Sequence, residues 1–164
     1  MTSIAFNKSG HLMASGGTDN LVILWDVVGK SALHKFVGHN AGITGITFFS
    51  HFQDSGDYVL TTSKDGSLRV WCVDTRRCVD MAPSKKNEVL GLSQIEGLKF
   101  VRNSLFLVPT NTEDVIFFET IKVKSEDASE KHLVEKGRLQ RTQFSTVVDI
   151  ESWDKYVIIA SKYY

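Results

Sequence analysis

The sequence predicts an all-β fold built from repeats of a four-stranded antiparallel sheet, and three observations carry that prediction. Two segments superpose on one another, apolar residues alternate with small or polar ones inside each, and Asp-led turn residues separate the alternating runs. The composition is that of an ordinary globular chain, with 164 residues, 42% hydrophobic and 23% charged. Its 19 Lys+Arg balance 19 Asp+Glu, so the net charge of zero gives no electrostatic footprint for nucleic acid or an anionic membrane. No run approaches the roughly 18 apolar residues of a membrane span, and no basic segment leads into an apolar core at the start. The expectation is an intracellular, soluble protein without membrane contact, and the two cysteines, Cys72 and Cys78, suit a reducing compartment.

The first copy opens with Ile4 and Phe6 alternating with small residues, the period-2 signal of a strand. A second strand follows at Leu12-Met13-Ala14-Ser15-Gly16. Asp19-Asn20 then supplies residues that tolerate the positive φ of a tight turn. The next run, Leu21-Val22-Ile23-Leu24-Trp25, is apolar at every position, so both of its faces are expected to be covered. The second copy repeats this order as Thr44-Gly45-Ile46-Thr47-Phe48, Val59-Leu60-Thr61-Thr62-Ser63, Asp65-Gly66 and Leu68-Arg69-Val70-Trp71. Asp19 to Asp65 and Trp25 to Trp71 are both 46 residues apart, whereas Thr2 to Thr44 is 42. The four extra residues fall near 51–57, where a loop tolerates them.

The later copies are fainter. Glu88-Val89-Leu90-Gly91-Leu92 lies 44 residues beyond Thr44, and Leu105-Phe106-Leu107-Val108 and Val115-Ile116-Phe117-Phe118-Glu119 would be the next two strands. A fourth copy begins at Thr146-Val147-Val148-Asp149-Ile150, 58 residues after Glu88, with residues 156–161 as its second strand. The excess lies in residues 122–137, rich in Lys, Glu and Ser, and reads as a solvated loop. Trp153-Asp154 reads as a chance dipeptide in a turn.

Small antiparallel sheets repeating every 40–45 residues or so and packed face to face around an axis make a β-propeller. Gly38-His39, followed by a strand, an Asp-containing hairpin and a Trp, resembles the WD-repeat (WD40) propeller family, with Trp25-Asp26 as its eponymous dipeptide and Trp71-Cys72 as a variant. In the third copy Phe118 stands for the Trp and Ala82-Pro83 for the Gly-His. The expected fold is thus a partial propeller of about three and a half WD-type blades: blade 1–36, blade 37–80, a degenerate blade 81–140 with the charged insert 122–137, and a partial blade 141–164. A closed propeller needs at least about four blades, so these residues are expected to be a fragment or to close the ring with another chain.

His39, Thr61 and Asp65 offer the residue types of nucleophilic catalysis. The family resemblance implies instead a structural tetrad, in which Asp65 holds His39, His39 bonds Thr61, and Thr61 bonds the indole of Trp71. Thr61 is preferred over Ser63 because the position four before the Asp is a hydroxyl in both copies. In the first copy the tetrad would be Ser15, Asp19 and Trp25, with its His expected ahead of the given sequence. No catalytic residue is assigned, and an enzyme using Thr61 or Cys78 is the least favoured reading. No metal or cofactor is expected, since His11, His34, His39, His51 and His132 show no zinc-type spacing with the cysteines. Ser15-Gly16-Gly17 lacks the Lys-Ser/Thr of a phosphate loop and reads as a strand with no room for side chains. Both cysteines, Phe48-Phe49 and Phe117-Phe118 are expected in packing, and Arg76-Arg77 and Lys85-Lys86 on a solvated surface.

A propeller without a catalytic set implies a rigid scaffold for protein–protein interaction. Residues 31–44, with Asp74-Thr75-Arg76-Arg77-Cys78 and residues 88–92, are similar to the WD-repeat subunit of the U3 small nucleolar ribonucleoprotein and small-subunit processome. That resemblance implies a nucleolar role in 18S rRNA maturation and ribosome biogenesis, with other protein subunits as partners and U3 snoRNA reached through the complex. No small-molecule substrate is implied. The alternative is a WD adaptor of another complex, a ubiquitin ligase substrate receptor or a signalling scaffold.

Overall fold

The computed structural model describes residues 2–50, 56–82, 95, 97–102, 105–110, 114–124, 130–140, 145–153 and 156–163. The elements within them are all strands, ordered so that each pairs with its neighbour in sequence. The first sheet contains β1 (Ser3–Phe6), β2 (Leu12–Gly16), β3 (Val22–Asp26) and β4 (Ser31–Phe36), in that spatial order and antiparallel throughout. β5 (Ile43–Ser50), β6 (Asp57–Ser63), β7 (Leu68–Cys72) and β8 (Arg77–Ala82) form the second in the same way. The third holds β9 (Lys99–Arg102), β10 (Leu105–Pro109), β11 (Asp114–Lys124) and β12 (Glu130–Gln140), and β13 (Ser145–Trp153) pairs with β14 (Tyr156–Tyr163).

Turn chemistry explains why the first two sheets repeat. Asn20 and Gly66, 46 positions apart, hold φ of 67° and 78° in the turns before β3 and β7, conformations that Gly and Asn adopt at little cost. Lys30 and Arg76, also 46 apart, are left-handed in the turns before β4 and β8.

Alternation decides which side chains meet. Across the first sheet, Ser3, Gly16, Val22 and Phe36 are in register, as are Ala5, Ala14, Leu24 and His34. From this face Ala14, Val22, Leu24 and Phe36 pack onto Ile43, Ile46, Val59 and Trp71 of the second sheet. β7 presents Leu68, Val70 and Cys72 to the opposite side, where they meet Phe106, Val108, Ile116 and Phe118 of the third sheet. Each fully buried side chain of this kind contributes about 1.5–3 kcal/mol. The close approach of the first two sheets requires a glycine: a Cβ on Gly16 would lie 2.6 Å from Ile43 Cγ2. The third sheet is tied to the second by Asp80, whose Oδ2 accepts the backbone N–H of His132 at 2.6 Å and of Leu133 at 2.8 Å.

Two expectations require correction. Residues 122–137, expected as a loop, lie largely in β11 and β12, with 125–129 outside the described residues. β12 carries its charges as an edge strand does: Glu135, Lys136 and Arg138 are exposed while His132 and Leu133 are buried. Residues 88–92, expected as a strand, lie outside the described residues; β10 pairs with β9, Leu105 with Arg102 and Phe106 with Phe100. Trp153 ends β13, opposite Tyr156, instead of sitting in the turn. β3 also departs from expectation. Val22 and Leu24 are buried, but Ile23 and Trp25 on its other face are only half-buried.

Candidate functional site: a buried His-Thr-Asp-Trp network

Four elements of the second repeat meet around one imidazole. The segment between β4 and β5 brings in His39, β6 supplies Thr61, the β6–β7 turn supplies Asp65, and β7 supplies Trp71. His39 Nε2 lies 2.8 Å from Thr61 Oγ1, and Nδ1 lies 3.1 Å from Asp65 Oδ2. The Trp71 indole N–H donates to Thr61 Oγ1 at 2.9 Å. The indole can only donate to the hydroxyl. In the tautomer that places Nδ1–H toward the carboxylate, Nε2 accepts from the Thr61 hydroxyl, which also faces Arg69 O at 3.4 Å.

Ser67 is a fifth member that the sequence reading did not identify. Its hydroxyl donates to Asp65 Oδ1 at 2.7 Å and lies 3.1 Å from His39 Nδ1, and its backbone N–H donates to the same Asp65 oxygen at 2.9 Å. Asp65 Oδ2 also accepts the Asn40 backbone N–H at 2.8 Å. Burial alone would raise the Asp65 carboxyl. Hydrogen bonds from His39, from the Ser67 hydroxyl and from the two backbone N–H groups outweigh burial and hold it well below the usual carboxylate range.

The neighbours fix the ring positions. Phe36 lies 5.1 Å from the Trp71 ring centroid, and a Cβ on Gly38 would stand 3.0 Å from Arg69 Nη1 and 3.1 Å from Trp71 Cη2, so a larger residue before His39 would require these neighbours to shift. Ser63, the rejected hydroxyl, instead donates to Ala41 O at 2.8 Å and accepts the Asp65 N–H. Thr61 is 0% exposed and the His39 side chain likewise. A nucleophile must meet its substrate in a cleft with stabilising donors, and a hydroxyl closed off in this way meets none.

The first repeat assembles the same parts without the imidazole. Trp25 Nε1–H donates to Ser15 Oγ at 2.8 Å, as Trp71 does to Thr61. Asp19 Oδ1 accepts only a long bond from the Leu21 N–H, 3.4 Å, among its described contacts. Where an imidazole would stand there is a cavity of about 340 Å³ lined by Ser15, Asp19, Ile23 and Trp25 among others.

The other candidates are placed as follows. Cys72 is buried in the core, while Cys78, expected in packing, is exposed on β8, with Sγ 3.3 Å from Asp80 O. Phe49 and Phe118 are core residues with Phe48 packed at the edge. Lys85-Lys86 lie outside the described residues. Among the described residues no group of His, Cys, Asp or Glu is arranged to hold a metal ion.

Comparison with known proteins gives concordant results. The WD40 family, described as WD domain, G-beta repeat, matches residues 1–26 and 30–72. Transducin beta-like protein 3 of Mus musculus is 31% identical over 97 residues, 59% of this chain but 12% of its own length. Pre-mRNA-processing factor 19 homolog 2 of Arabidopsis thaliana is 25% identical over 160 residues, 98% of this chain and 27% of its own. This chain therefore spans about an eighth of the first of these relatives and about a quarter of the second. Among solved structures, one described as "Structure of U3-55K" superposes with a TM-score of 0.59 at 18% identity, covering 84% of this chain and 38% of the other. That likeness establishes the fold, a partial WD40 propeller.

Proposed function

We propose that this chain, whose residues 1–26 and 30–72 match WD40 repeats, is a non-catalytic scaffold holding protein subunits together in a nuclear ribonucleoprotein complex. One observation carries the reading. The residues that resemble catalytic machinery, His39, Thr61 and Asp65, are spent on one another and on Trp71 inside the fold. What remains for function is surface, the strand-connecting turns and sheet faces that propellers present to other proteins.

The finer assignment is to the U3 small nucleolar ribonucleoprotein and small-subunit processome, in 18S rRNA maturation in the nucleolus. It is supported by the sequence resemblance around residues 31–44 and 88–92 and by the likeness in fold to the structure described as "Structure of U3-55K". A relative whose name states pre-mRNA processing supports the wider class, RNA-processing assemblies. RNA is reached through the complex, since the chain has no net positive charge.

The test is affinity purification of the full-length protein, followed by mass spectrometry and RNA sequencing. U3 RNA and processome subunits are expected to co-purify, and the proteins to persist on the bait after nuclease treatment. Recovery of other complexes without U3 RNA would overturn the finer assignment; recovery of no stable protein partner would overturn the scaffold itself.

A further inference from the structure

Where the first two sheets meet beside β7 and β8, one arginine is fixed by packing and has no counter-ion. Both walls of this notch are described residues: Val37 and Gly38, which follow β4, and the paired strands β7 and β8. Arg69 and Trp71 share the face of β7 that is turned to the first sheet, with Met81 and Cys78 opposite them on β8. The Arg69 guanidinium carbon lies 6.0 Å from the Trp71 ring centroid, and Nη1 would stand 3.0 Å from a Cβ on Gly38. The exposed Cys78 thiol is a further neighbour of the guanidinium. Arg69 as a whole is half-buried, and its Nε is buried with no hydrogen-bond partner.

The carboxylates on either side of it in the second sheet are committed elsewhere. Asp65 is held by His39, Ser67 and the Asn40 N–H. Asp80 takes the backbone N–H groups of Met81, His132 and Leu133. No ion pair among the described residues includes Arg69. A guanidinium ordered over an indole, with a charge that its own chain leaves unbalanced, is preorganised for a carboxylate, which its fork of donors matches. Beside it Val37 is 73% exposed and offers an apolar contact. The first repeat has Ile23 at the equivalent position, so the charge is particular to the second repeat.

We propose that this notch binds a protein partner through an Asp or Glu side chain next to an apolar residue, the carboxylate on Arg69 and the apolar residue on Val37. The proposal rests on the scaffold reading and names the chemistry of one of its contacts. A phosphate backbone is the poorer fit, because nucleic acid is held by several cations along a track and this chain carries as many acidic as basic side chains.

The test uses the full-length protein in cells, with a photo-crosslinking residue in place of Val37. A crosslink to another protein, at a segment containing Asp or Glu, is expected. Arg69→Met, which keeps an unbranched apolar stem over Trp71, is expected to cut its yield at least tenfold. Arg69→Lys, a point charge without the fork, is expected to retain part of the yield, and Arg77→Met, at an exposed cation of β8, all of it. A crosslink to RNA, to a segment without a carboxylate, or to nothing would overturn the proposal, and so would full yield from Arg69→Met. The crosslink of the otherwise unaltered protein decides the matter even if a variant fails to fold. Subunits that co-purify while Val37 finds no acidic segment would remove this contact and leave the scaffold standing, so the two readings fail separately.

Discussion

The first and second repeats carry the same hydroxyl, carboxylate and indole at the same spacing, yet only the second is closed. Trp71 is 3% exposed and sits under Phe36, whereas Trp25 is half-buried and looks into a cavity. The tryptophan–hydroxyl bond is nearly the same length in both, 2.8 Å and 2.9 Å. That bond therefore needs no imidazole. What the imidazole adds is the link from hydroxyl to carboxylate, and with it the connection between the incoming segment, two strands and a turn. A sheet acquires its own half of the network from its own sequence and the other half from whatever precedes it.

The comparison can be broken most sharply at the two tryptophans. Trp71→Ala is expected to cost about 3–5 kcal/mol in denaturant unfolding, the usual range for a buried aromatic, and Trp25→Ala less than half of that. Equal losses would mean that the two indoles are equally embedded. Next come the polar members. His39→Ala or Asp65→Ala leaves buried partners stranded, for about 1–3 kcal/mol, whereas Asp19→Ala, at an exposed carboxylate, is expected to stay within about 0.5 kcal/mol. Gly16→Ala tests the seam between the repeats, because the added Cβ must displace Ile43 and Ile46; a loss of about 1–3 kcal/mol is the ordinary cost of overpacking.

The mildest probe is acid. The Asp65 carboxyl is depressed in the folded chain, so the unfolded chain takes up its proton first as pH falls below about 4. The associated stability is complete at neutral pH and is lost progressively below that value. Asp65→Asn is expected to flatten this acid limb in a pH series of unfolding midpoints.

How far the sequence was readable follows from the same two repeats. The first three strands of each of the first two sheets were legible because Asp and Trp recur 46 residues apart, and the register between copies could be checked position by position. Thr61 was separable from Ser63 by the same means. Ser67 was not, because its counterpart in the first copy is Leu21, and a reading that trusts shared positions passes over a hydroxyl present in only one. Its signal was local: two residues after an Asp, where side chain and backbone N–H both reach the same carboxylate. β12 was lost for a different reason. Glu130–Gln140 has the composition of a solvated segment, and on an edge strand the solvent-facing charges outnumber the residues that mark the core, here His132 and Leu133. β9 was passed over because the run at 88–92 fitted the repeat offset and β9, Lys99–Arg102, has two charges in four residues. The fold class thus follows from periodicity, while a strand this short and this charged carries too little of the period to be read.

The meander order of the sheets also governs how the chain comes apart. Each described sheet is stitched from strands adjacent in sequence, and its neighbours hold it by one buried face and a few cross-links such as Asp80. Such an array behaves as a nearly one-dimensional row of coupled units. The second sheet is packed on both faces, and its amides are expected to exchange more slowly than those of the first sheet. Exchange in the first sheet is expected to start from β1, where Ile4 and Phe6 are exposed, so the array frays from the strand with the least cover.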